Sequence, residues 1–145
     1  MYNKILVPLD GSKTAECALE HVQTIARGCS VPEVILLFVA EPVPAGLYQS
    51  SAERNEKLMA WGKEFLAKIE KSLLTDGVTT RSILLEGKPA ETILDYAVKS
   101  DIDLIIMSTH GRSGPSRWAF GSVADRVIRH STVPVLIAVP KGCRC

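Results

Sequence analysis

The chain has 145 residues, 46% hydrophobic and 23% charged, with a formal net charge of +1. That length and balance suit one domain over residues 1–145, exclude a disordered chain, and argue against a broad nucleic-acid surface. The longest apolar runs, such as Val34 to Ala40, are strand-sized and far short of the ~20 residues that span a bilayer, so no membrane partner is expected.

Lys4 to Asp10 reads as a first strand ending in an acid. Because Met1 to Lys4 leads straight into it, no signal peptide is expected, which points to the cytoplasm. A helix follows from about Ser12, its apolar face formed by Ala15, Ala18, Leu19, Val22, Ile25 and Ala26, with Gly28 as its end. Glu33 to Ala40 is a second strand, apolar without alternation, as when both faces are covered. Glu41 to Ser50, with two prolines and a glycine, is a loop. A long helix then runs from about Ser51 to Thr75 on a stripe of Leu58, Trp61, Phe65, Leu66, Ile69 and Leu73, and Gly77 terminates it.

Thr80 to Glu86 is the third strand, and Pro89 suits the first position of the next helix, which buries Ile93, Leu94, Ala97 and Val98. Leu104 to Met107 is the fourth strand. After a glycine-bearing loop, a helix from Ser122 turns Val123, Ala124, Val127 and Ile128 inward, and Pro134 to Val139 is the fifth strand. Strict alternation of strand and helix predicts an α/β, Rossmann-like fold: a five-stranded parallel sheet with helices on both faces. With strand order 3-2-1-4-5, the winding reverses between strands 1 and 4, where open sheets of this type bind ligands. Asp10 and the segment beginning at Ser108 fall just past those two strands.

That segment, Met107 to Val123, carries glycines at 111, 114 and 121, and Ser122 opens the helix after it. Ser122-Val-Ala-Asp125 has capping-box spacing. Free N–H groups of Gly121, Ser122 and Val123 at a helix start, with the helix dipole behind them, suit a phosphate. Arg112 and Arg117 add positive charge. A plain capped helix after a turn explains the same residues, and the loop by itself leaves the two readings even.

The wider pattern resembles the universal stress protein family. Ile5-Leu-Val-Pro-Leu-Asp10-Gly-Ser is similar to the family's opening, and Val123 to His130 and Val133 to Ile137 also resemble it. The family's ATP signature is a glycine, two residues, a glycine, nine residues, then glycine and serine or threonine. Gly111, the nine residues from Arg112 to Phe120, and Gly121-Ser122 match it, while Ser108 stands where the first glycine would be. The resemblance implies the adenine nucleotide alpha hydrolase-like fold and a nucleotide site. In that site Asp10 contacts the nucleoside and the backbone at Val39 faces adenine. Pro8, Leu9 and Met107 line the pocket, and Ser108, Gly111, Arg112, Gly121, Ser122 and Val123 hold the phosphates. The implied ligand is ATP, or ADP or AMP, with any Mg²⁺ held largely by phosphates and water. The resemblance also implies an antiparallel homodimer through the apolar edge strand Val133 to Val139.

Other chemistry is poorly represented. Gly87-Lys88 is not a Walker loop, because Ser82 stands where its first glycine belongs and Pro89 replaces the serine or threonine. Cys17, Cys29, Cys143 and Cys145 form no paired CxxC set, so no metal site is expected: Cys17 reads as packing and the last two as a silent tail. Among His21, His110 and His130, only His110 is placed for acid–base work, and it reads better as a loop residue facing solvent or phosphate. Catalytic residues are therefore not assigned. Three readings follow: an ATP-binding regulatory protein with slow hydrolysis at most, a family member without nucleotide acting through protein contacts, and an ATP-dependent enzyme.

Overall fold

The structure is a computed structural model that describes residues 1–44, 51–74, 79–109 and 120–140. Five strands, β1 (Lys4–Leu9), β2 (Glu33–Ala40), β3 (Thr80–Glu86), β4 (Leu104–Ser108) and β5 (Val135–Ala138), alternate with helices α1 (Lys13–Glu16), α2 (Leu19–Gly28), α3 (Ser51–Leu74), α4 (Pro89–Lys99) and α5 (Ser122–His130). The sheet is parallel throughout, in the order β3-β2-β1-β4-β5, as the alternation predicts.

Both faces of the sheet are covered, which is why the central strands are apolar without alternation. On one face Ile5, Val7, Val34, Leu36 and Phe38 pack against Ala15 of α1, Val22 and Ala26 of α2, and Leu66, Ile69 and Leu73 of α3. On the other, Leu6, Ile35, Leu37, Ile105 and Met107 pack against Ala90, Ile93 and Ala97 of α4 and Ala124 and Val127 of α5. Buried alanines face the sheet from α1, α2, α4 and α5: Ala15, Ala26, Ala90, Ala97 and Ala124. Each fully buried Ile, Leu or Val contributes about 1.5–3 kcal/mol relative to leaving it exposed.

Several boundaries differ from the sequence reading. The first helix is two pieces: amides of Cys17, Ala18 and His21 bond carbonyls three residues back, a tighter turn that keeps Ala15, Ala18 and Val22 all on the sheet. Ser12 caps its start, accepting from the amide of Ala15. Gly28 is the last helical residue rather than the turn; Ser30 takes the left-handed conformation (φ 50°), and the amide of Val31 closes onto Ala26. Val98 and Ile128, expected inward, are 62% and 41% exposed. Each lies one position past a line of buried residues, Ala90–Ile93–Ala97 and Ala124–Val127, that already fills the space beneath its helix. β5 is shorter than Pro134 to Val139, since Val139 has left the sheet. Gly77 lies outside the described residues, as does 45–50 of the loop expected over Glu41 to Ser50.

The other end of the sheet is tied by Asp103, just before β4. Its Oδ2 accepts from the amides of Asn3 and Lys4, each at 2.8 Å, and its own amide donates to the Lys4 carbonyl at 3.0 Å. The amide of Lys4, then that of Asn3, holds the Asp103 carboxyl below its usual value of 3.8 against the opposing effect of desolvation. A lowered carboxyl contributes stability that is full above 3.8 and is lost as the pH falls through the lowered value. Asp103→Ala is therefore expected to cost about 1 kcal/mol in urea unfolding at neutral pH, and the gap from wild type is expected to shrink in unfolding curves recorded progressively below pH 3.8.

Candidate functional site

β1 pairs with β2 over its whole length, from Lys4 opposite Glu33 to Leu9 opposite Phe38. Its pairing with β4 stops after Ile5–Leu104 and Leu6–Ile105. β4 meanwhile keeps its ladder with β5 as far as Ser108–Ala138, and the amide of Thr109 extends it to the Ala138 carbonyl. The carboxyl end of the sheet thus divides between β1 and β4, at the point where the winding reverses. A cavity of about 300 Å³ occupies this division, at the lower end of the range for small-molecule sites.

Nine of the eleven residues expected at a nucleotide site line this cavity: Pro8, Leu9, Asp10, Val39, Met107, Ser108, Gly121, Ser122 and Val123. Gly111 and Arg112 lie outside the described residues, as do His110, Gly114, Arg117 and Trp118. Ser108, standing where the family signature has a glycine, is the last residue of β4 and buried, and the non-glycine residues with positive φ are Ser30 and Asp101 among the described residues. An extended backbone at this position accepts a β-carbon without strain.

The walls differ in chemistry. On the β2 side, Leu37, Val39, Leu58 of α3, and Pro89 and Ile93 of α4 make an apolar surface, with Glu41 at its rim. In the middle, β1 delivers Asp10. Its Oδ1 accepts from the Ser12 amide at 2.9 Å and from the Ser12 hydroxyl at 2.6 Å, while that hydroxyl accepts from the Ala15 amide at 3.1 Å. Asp10 therefore does support the start of α1, through Ser12, and at the same time presents a carboxylate to the cavity.

On the β4 side lies the start of α5, where the capping expectation needs correction. Gly121 is the cap residue, with φ 78° and ψ 147°, and Ser122 is the first helical residue, exposed and making no side-chain cap bond. The Asp125 carboxylate does not close a capping box; it accepts from Arg129 Nε at 3.0 Å, one turn on. Asp125 opens the intrahelical ladder by donating to the Gly121 carbonyl at 2.9 Å. The amides of Ser122, Val123 and Ala124 precede that ladder and have no intrahelical acceptor. Glycine at 121 provides a positive φ that other residues seldom adopt, and it exposes the helix start to the cavity.

Leu58, Pro89, Ile93, Glu41 and Thr109 were not singled out by sequence. Leu58 belongs to the α3 stripe and Ile93 to the α4 face, so both read as core. Pro89 carried the available signal: the first residue of a helix that follows a strand lies at the carboxyl edge of the sheet, where the crevice opens. Among the described residues, no group of three or more His, Cys, Asp or Glu comes together, and no helix is long and apolar enough to cross a membrane.

The family model described as "Universal stress protein family" matches residues 1–139. The chain is 37% identical over 140 residues to universal stress protein MJ0531 of Methanocaldococcus jannaschii, covering 94% of this chain and 82% of that protein. It superposes on the solved structure of MJ0577 from the same organism with a TM-score of 0.89 at 36% identity, covering 98% and 99% of the two chains. The fold is also that of a universal stress protein family protein from Arabidopsis thaliana solved with AMP bound, at a TM-score of 0.72 and 16% identity, covering 97% and 93%.

Ser12 links the α1 cap to Asp10, so Ser12→Ala is expected to destabilise the protein by about 1 kcal/mol, read as a lower urea midpoint with an unchanged slope.

Proposed function

The chain belongs to the universal stress protein family, and from that premise we propose that it binds an adenine nucleotide, ATP foremost, in the β1–β4 crevice and serves as a regulatory protein rather than a dedicated enzyme. The observation that carries this reading is the order of the three walls. Apolar surface on the β2 side, a carboxylate at the end of β1 and a helix start beside β4 follow one another across adjacent strands. Strand spacing places β2 and β4 about 10 Å apart, which matches the succession of base, ribose and phosphate along one nucleotide.

In this reading the base lies against Leu37, Leu58, Pro89 and Ile93, with the backbone at Val39 beside its edge. Asp10, oriented by Ser12, accepts from ribose hydroxyls. The amides of Ser122 and Val123, with the positive end of α5 behind them, meet the phosphates, and the Ser108 and Ser122 side chains add hydroxyl donors. Gly111 and Arg112 complete the phosphate loop by their place in the family signature. That the fold accommodates such a ligand is illustrated by the AMP in the Arabidopsis thaliana protein. Mg²⁺ enters with the nucleotide, held by its phosphates and water; Asp10 alone is a poor metal site. The site binds and orients, and hydrolysis, where it occurs, is slow.

The edge of the sheet supports a second part of the proposal. Among the described residues β5 pairs only with β4, and Val139 beyond it is 65% exposed. An unpaired apolar edge favours pairing with its own copy across a two-fold axis, so a homodimer through Val133 to Val139 accompanies nucleotide binding.

Calorimetry is expected to give one-to-one binding of ATP per chain, abolished by Gly121→Val, with circular dichroism confirming that the variant stays folded. Absence of heat with ATP, ADP and AMP overturns the nucleotide reading in favour of a family member acting through protein contacts alone. Sedimentation equilibrium at micromolar concentration is expected to return twice the chain mass, and a monomer there refutes the β5 interface.

A further inference from the structure

Trp61 lies on the apolar stripe of α3, yet it is 44% exposed, whereas Leu66 and Ile69 on the same stripe are buried. The contacts of its ring show what it does there. One face stacks on Phe65, with centroids 5.4 Å apart and planes within 9°. Its ring also meets the buried Phe38 of β2 edge-on at 5.8 Å. Such aromatic pairs add about 0.5–1.5 kcal/mol beyond the area they bury, so the indole is fixed from the α3 and β2 sides.

The outer edge of the same ring abuts Gly11. A β-carbon on Gly11 would fall into the indole, meeting Cη2 and, at 2.6 Å, Cζ3. Gly11 also has a φ of +82°, so glycine is required there both by conformation and by the tryptophan. The close approach originates one residue further along α3. A β-carbon on Gly62 would come within 2.8 Å of Phe38 Cδ1, so the bare backbone at Gly62 lets α3 settle onto β2 and carries Trp61 to the end of β1. Asn55 adds a second tie, its Oδ1 accepting from the Val43 amide at 3.0 Å, and Leu58 lines the cavity at the same level.

Gly11 is the middle residue of the turn in which Ser12 donates twice to Asp10. Glycine is the most mobile residue on which to hinge a carboxylate, and the indole stands where that hinge would swing. We propose that Trp61 is a positioning residue for the nucleotide site: it holds the Asp10-Gly11-Ser12 turn so that the Asp10 carboxylate faces the ribose hydroxyls. This rests on the nucleotide reading above. It makes α3, through Trp61 and Leu58, a wall of the site as well as a layer of the core.

The test combines amide exchange by NMR with calorimetry on wild type, Trp61→Ala and Trp61→Phe, using ATP and 2′,3′-dideoxy-ATP. In Trp61→Ala without nucleotide, the Ser12 amide is expected to exchange at least about tenfold faster, while the Asn3 and Lys4 amides held by Asp103 keep their wild-type rates. Affinity for ATP is expected to fall about tenfold, the loss of one hydrogen bond to a charged acceptor, with affinity for the dideoxy analogue unchanged. Trp61→Phe keeps a ring against Phe38 and Phe65 but lacks Cζ3 and Cη2, the atoms that abut Gly11, and is expected to reproduce most of both effects. An unchanged Ser12 exchange rate overturns the proposal, and so do equal losses for the two nucleotides, which would make Trp61 a packing residue only. Wild-type protein that binds neither nucleotide overturns the nucleotide reading and the ribose role with it, while Ser12 exchange still decides whether Trp61 holds the turn.

Discussion

Between β1 and β4 the winding of the sheet changes direction. Right-handed crossovers place α1, α2 and α3 on one face as the chain moves from β1 to β3, and place α4 and α5 on the other once it returns to β4. Two helix layers therefore leave from adjacent strands toward opposite sides, and the strand ends between them part after Leu6 and Ile105. A packed sheet has few other places where a polar concavity can form without breaking a ladder. Everything at the site follows from this division: the cavity, the exposure of Asp10, and the placement of the α5 start beside β4.

The same division separates the packed floor from the groups that face the cavity. The floor is built from β1, β2 and β4, whose side chains at Leu6, Leu36, Leu37 and Ile105 are fully or almost fully buried. The groups that face the cavity are carried on turns at the strand ends, each secured by its own local bonds: Ser12 on Asp10, Thr109 on Ala138, Asp125 on Gly121. A carboxylate or amide held in this way is already oriented before a ligand arrives, so less ordering entropy is lost on binding. At the opposite end, Asp103 holds the start of β1 beside β4, so the two strands are joined where the crevice closes and parted where it opens.

Local patterns were legible where one physical cause dominates. β2 at Glu33–Ala40 and β3 at Thr80–Glu86 agree with the sequence reading at both ends; for β2 the reason is that a strand covered on both faces is an almost unbroken apolar run. Pro89 announced α4, since its fixed φ and missing amide suit a first helical turn. Patterns failed where neighbours decide. Periodicity cannot tell Val98 from Ile93, because both lie on the apolar arc of α4; the distance of the helix from the sheet chose one and exposed the other. Ser122 had the right residue type and spacing for a cap, yet the chain enters α5 with a positive φ at Gly121, so Ser122 became the first helical residue.

By itself, the sequence determined the order and type of the elements, the parallel sheet and the membership in a family, because these depend on hydrophobic periodicity, breakers and short motifs that act over a few residues. It also marked Asp10 and Gly121 through their places just past β1 and just before α5. Only the tertiary structure decided that Leu58, Pro89 and Ile93 share a wall with them and that Trp61 stands against Gly11. Those residues lie on different elements, fifty positions apart for Gly11 and Trp61 and further for Asp10 and Ile93. Such juxtapositions exist only once α3 and α4 have packed onto the two faces of the sheet, and no local pattern in the chain encodes that approach.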